Sequence, residues 1–141
     1  SQIGGRMSAL IPTIEDELCA LEEGRIDPKA FPHREHVRLA FEMLRRHSFG
    51  EALTRFAQGL RHLTSRLARP QVYHETITVA FLALIAERCA TTACTGWEDF
   101  IARNSDLLDK KVLLGWYSSE QLQSELARQT FCLPAPTRIK S

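Results

Sequence analysis

The chain has 141 residues, with 18 Lys and Arg against 17 Asp and Glu and a formal net charge of +1, a balance that argues against a wide nucleic-acid surface. With 44% hydrophobic and 25% charged residues it has the make-up of a globular domain rather than a disordered chain. At this length about two-thirds of the unfolded surface can be buried in one core, so neither disulfides nor a structural metal are needed to hold the fold together.

Leu occurs 18 times and Val 4 times, a bias toward helix formers over β-branched strand formers that predicts an all-α domain. Ser1 to Arg6 reads as the remnant of an expression tag ahead of a native start at Met7. Thr13 followed by Glu15, Asp16 and Glu17 opens a first helix over about Ile14 to Glu23, and Gly24 closes it. Pro32 suits the start of a second helix that carries Val37, Ala40, Phe41 and Leu44 and stops near His47. Ser48 and Glu51 form a capping-box pattern for a third helix ending before Pro70, with Leu53, Phe56, Ala57, Leu60, Leu63 and Leu67 at helical spacing.

The segment from Tyr73 to about Ala90 is apolar around most of its girth, as expected of a helix in the middle of a bundle. Its longest apolar run, Val79 to Ala86, is far short of the roughly 20 residues of a membrane span. Thr95 to Glu98 repeats the capping-box pattern before Phe100 and Ile101, and Asn104 to Leu108 leads into a brief helical piece ending near Gly115. Ser118 to Gln121 starts a last helix with Leu122, Leu126 and Ala127 inward, and Pro134 and Pro136 mark a tail. The expectation is a single compact bundle of five or six helices over residues 7–133, with 134–141 as the tail. Cys19, Cys89, Cys94 and Cys132 have no C-x-x-C spacing and no cleavable apolar leader before them, which predicts free thiols in a reducing cytoplasm.

Two segments place titratable groups where packing alone does not require them. His33 and His36 are three apart at a helix start, so both rings project from one side. The positive end of the helix dipole there favours neutral imidazole, the form that ligates a metal. His74 and Glu75 sit at the start of the most apolar helix, where each needs a partner if buried. If the two helix starts share one end of the bundle, His33, His36 and His74 form a three-nitrogen set for Zn²⁺, Fe²⁺ or Mn²⁺, with Glu75 a fourth ligand or general base.

Tyr73 would be a catalytic group with Glu75 and face the substrate, and Tyr117 and Arg128 would bind and orient a small polar substrate, since guanidinium forks onto carboxylate or phosphate. The sequence thus suggests a metal-dependent hydrolase, isomerase or oxygenase acting on a small molecule, with no nucleic-acid or membrane partner and the oligomeric state open. The competing expectation is a non-catalytic helical module that binds a ligand or partner, in which the same histidines and Glu75 form a buried polar network. No phosphate-binding loop, dinucleotide fingerprint, H-E-x-x-H or G-x-S-x-G motif occurs.

The runs Phe31-x-His33-x-x-His36 and Tyr73-His74-Glu75-Thr76, together with Thr78, Tyr117, Ser118 and Arg128, resemble a pattern shared by small uncharacterised bacterial helical proteins. The resemblance covers most of Asp27 to Arg128. It implies that these positions belong together and brings no activity with it.

Overall fold

The computed structural model describes residues 11–136, so the proposed tag remnant at Ser1 to Arg6 and the last five residues lie outside it. Thr13 starts the first helix, α1 (Ile14–Glu22), through a reciprocal capping box. Its hydroxyl accepts from the Asp16 N–H and the Asp16 carboxylate accepts from the Thr13 N–H, both at 3.1 Å. The chain leaves α1 at Gly24, whose φ of +69° is the left-handed conformation that glycine tolerates best. Arg66 reinforces that turn, donating from Nε to the Gly24 carbonyl at 2.6 Å and from Nη2 to the Ile26 carbonyl at 2.8 Å.

After a 3₁₀ turn at Pro28–Ala30 come α2 (His33–Arg46), with Pro32 as its N-cap, and α3 (Phe49–Arg66), capped by the Ser48 hydroxyl. A second 3₁₀ turn, Pro70–Val72, leads into α4 (Glu75–Thr91). Then follow α5 (Trp97–Arg103), 3₁₀ turns at Ser105–Leu108 and Val112–Gly115, and two short helices, α6 (Ser119–Leu122) and α7 (Glu125–Gln129). The described residues contain no strand, and the all-α architecture predicted from composition holds. None of these helices is long and apolar enough to cross a membrane.

The centre of the bundle is α4, which packs against α2, α3 and α7. It buries Leu82, Leu84 and Ile85, along with Thr76 and Thr78. Its apolar girth therefore reflects neighbours on several sides. The core runs from Leu21 on α1 through Val37, Leu39, Phe41 and Met43 on α2 to Phe100 on α5, with Phe41 and Phe100 stacked at a 4.5 Å centroid distance. On the outside, arginines of α2 and α3 reach to α1. Arg38 pairs with Glu17 and Glu35, Arg46 with Glu15 and Glu42, and Arg55 with Glu22 and Glu51. The basic runs on these helices are thus matched by acids beside them, each exposed pair contributing about 0–1 kcal/mol.

Three local expectations change. Tyr73 lies outside α4, because His74 itself is the N-cap. Before α5 no side chain caps the helix from the N-cap position, which is Gly96; the Asp99 carboxylate instead accepts from the Thr95 N–H at 3.0 Å. The single helix expected after Ser118 is two, because Ser124 repeats the capping of Ser118, each hydroxyl accepting an N–H three residues on. The break rotates the second piece, leaving Leu126 67% exposed while Ala127 is fully buried.

Where α1 crosses α3 the backbones meet at Gly59, and a Cβ there would collide with the Leu21 carbonyl. Ala is the better helix former by about 1 kcal/mol, yet Gly59→Ala is expected to destabilise the fold by about 1–3 kcal/mol through overpacking, measured as a lower urea midpoint with an unchanged slope.

Candidate functional site

Because Pro32 caps α2, His33 and His36 occupy its first turn and face the same side, with ring centroids 6.5 Å apart. The His33 Nε2 lies 2.9 Å from the Leu107 carbonyl. A carbonyl only accepts, so Nε2 carries the hydrogen, and in the neutral ring Nδ1 keeps a lone pair. The edge of Phe81 meets this ring at 5.1 Å. His36 lies against Phe31, centroids 3.9 Å apart. Burial pushes its pKa down to about 4, assisted by the positive charge of His33 and of Lys110 and opposed by the Phe31 backbone. At neutral pH the His36 ring is therefore uncharged.

The starts of α2 and α4 do lie at one end of the bundle. Between them and α3 is a cavity of about 90 Å³ lined by His33, His36, Phe56, Leu60, Ile77, Thr78 and Phe81, with Val37, Ala40, Leu82 and Ile85 behind. Ile77 is 38% exposed and marks the side open to solvent. No Asp, Glu, Lys or Arg lines this cavity.

His74 is absent from the lining because both its ring nitrogens are engaged elsewhere. Nδ1 accepts the Ile77 N–H at 3.1 Å, and Nε2 donates to the Leu122 carbonyl at 2.7 Å. The ring so bonded caps α4 and holds the end of α6, with no lone pair free. Glu75 turns to other partners. Its Oε1 accepts from the Tyr73 hydroxyl at 2.6 Å and lies 3.7 Å from Arg61, whose guanidinium sits 5.2 Å above the Tyr73 ring. Burial, and then the Glu75 carboxylate, push the Tyr73 pKa up to about 12.

The expected metal set is therefore not assembled: His33 and His36 come together, while His74 and Glu75 point to separate partners. Among the described residues no group of three His, Cys, Asp or Glu side chains is placed to hold an ion. Tyr117 and Arg128, the expected substrate-facing pair, also stand away from the cavity. Tyr117 is 4% exposed and donates to the Cys132 carbonyl at 2.7 Å. Arg128 pairs with Glu125 and donates to the Gln71 carbonyl at 3.1 Å. Both tie the C-terminal segment to the bundle.

Thr76, which the sequence offers only as part of the Tyr73–Thr76 run, belongs to the same tie. Fully buried, it donates to the Thr130 carbonyl at 2.8 Å and accepts from the Cys132 N–H at 3.0 Å. The signal was available, since a hydroxyl within so apolar a helix needs a partner. The cavity residues Phe56, Leu60, Ile77 and Phe81 read in sequence as ordinary core positions. No protein-family model, curated protein or solved structure matches this chain.

His74→Ala removes a helix cap and leaves the Leu122 carbonyl without its partner, so chemical denaturation is expected to show a loss of about 2–4 kcal/mol. His36 generates a pH dependence. Its folded pKa lies below the ordinary imidazole value, so the unfolded chain binds the extra proton first and stability falls as pH drops from about 6.5 to about 4. The expected loss across that window is about 3 kcal/mol, and His36→Phe should flatten this part of the stability profile.

Proposed function

We propose that this protein is a helical module that holds a small, largely apolar molecule in the cavity between α2, α3 and α4. The observation that carries the reading is the lining of that cavity: apolar side chains interrupted by two imidazoles and a hydroxyl, with no Asp, Glu, Lys or Arg among them. Such a lining suits recognition of an uncharged body oriented by one or two polar contacts. The remaining polar groups of the two motifs have structural duties. His74, Thr76, Tyr117 and Arg128 bind backbone carbonyls of neighbouring segments, and Tyr73 with Glu75 and Arg61 closes the start of α4.

A thermal-shift screen tests this reading against the metal-dependent one. Small uncharged cyclic molecules near a hundred times their Kd are expected to stabilise the wild type by about 2.7 kcal/mol. Ile77→Trp, at the open side of the cavity, should abolish that response while leaving the unliganded melting temperature nearly unchanged. Stabilisation by Zn²⁺, Fe²⁺ or Mn²⁺ instead, lost in both His33→Ala and His36→Ala, would replace the ligand reading with a metal site.

A further inference from the structure

The cavity's polar groups are unequal in what they offer. The His33 Nε2–H is committed to the Leu107 carbonyl, and in the tautomer with that single hydrogen Nδ1 is left as an acceptor. The Thr78 hydroxyl donates to the His74 carbonyl at 2.8 Å, which leaves its oxygen lone pairs. His36, neutral, keeps one lone pair, its N–H being drawn to the Phe31 backbone. Acceptors thus outnumber free donors in a lining that otherwise consists of carbon. No Lys or Arg stands in the lining to form an ion pair with an anion that gives up its hydration there.

Resting on the cavity reading above, we infer that the ligand is a small uncharged hydrogen-bond donor on a single apolar ring, of the phenol type, with its donor directed at the imidazole and hydroxyl acceptors of His33, His36 and Thr78. Size sets one ring as the ceiling: the roughly 90 Å³ available is less than the roughly 150 Å³ of an apolar cavity known to hold benzene, so a ring seated there would stand partly outside the lining. The Phe81 edge supplies an aromatic wall on the same side as His33. A ring with a hydroxyl satisfies the acceptors, whereas the same ring without one leaves them unpaired as water is displaced.

The test is an amide and imidazole ¹⁵N NMR titration of the wild-type protein at pH 8 with phenol, anisole, toluene and benzoate. Phenol is expected to bind roughly fivefold more tightly than toluene or anisole, the margin of one net hydrogen bond, and to shift the imidazole ¹⁵N resonances of His33 or His36. Benzoate should not bind. Equal binding of phenol, toluene and anisole would overturn the donor preference while leaving the cavity reading intact. Preferred binding of benzoate would overturn the uncharged class. Failure of all four to perturb residues around the cavity would overturn the cavity reading itself. Thr78→Val is a second check: it should reduce the advantage of phenol over toluene, and because the imidazole resonances are read in the wild type, the outcome does not depend on that variant folding.

Discussion

The imidazole of His74 joins two parts of the chain, the start of α4 and the end of α6. Its Nδ1 closes the first turn of α4, and its Nε2–H holds the carbonyl at the end of α6. Each bond fixes the tautomer the other needs, so the ring can serve both partners only in one orientation. Since α4 packs on α2, α3 and α7, the position of its first turn sets where Ile77, Thr78 and Phe81 stand relative to α2. The cavity follows from that placement.

A division of labour among the histidines results. His74 and His33 both donate to carbonyls far along the chain, at Leu122 where α6 ends and at Leu107 in a 3₁₀ turn, and so pin short elements to the longer helices. His36 lies against the Phe31 ring and its backbone, and burial holds its pKa down. The acids of these helices pair elsewhere: Glu35 and Glu17 with Arg38, Glu75 with Tyr73 and Arg61. None of them lines the cavity.

Much of the fold was legible in local chemistry. Thr13, Gly24, Pro32 and Ser48 mark the helix boundaries they occupy, because caps and left-handed turns depend on the few residues beside them. The break between α6 and α7 was harder to see, since Ser124 reads equally well as an interior residue until its hydroxyl is found on the Ala127 N–H. The site was legible in part. Spacing along α2 placed His33 and His36 together, but what His74 does depends on the chain nearly fifty residues later, and no local pattern carries that information. Gly59 is similar: inside a helix it looks like a propensity defect, and only the crossing with Leu21 explains it.

The attachment of the C-terminal segment has a consequence for how the molecule opens. Residues 130–133 have no helix of their own, and their backbone groups are paired with side chains: Thr76 with Thr130 and Cys132, Tyr117 with Cys132, and Gln121 with Leu133. A stretch fastened by such isolated bonds lacks the cooperativity of a helical ladder, so it occupies the low end of the protein's range of opening energies. Detachment would widen the open groove where Phe131 and Pro134 lie beside Ala80, Ala83, Leu84 and Trp116, and would bare Leu84, which is otherwise buried. The tail is therefore where local opening reaches the flank of α4 without unpacking α1 to α3.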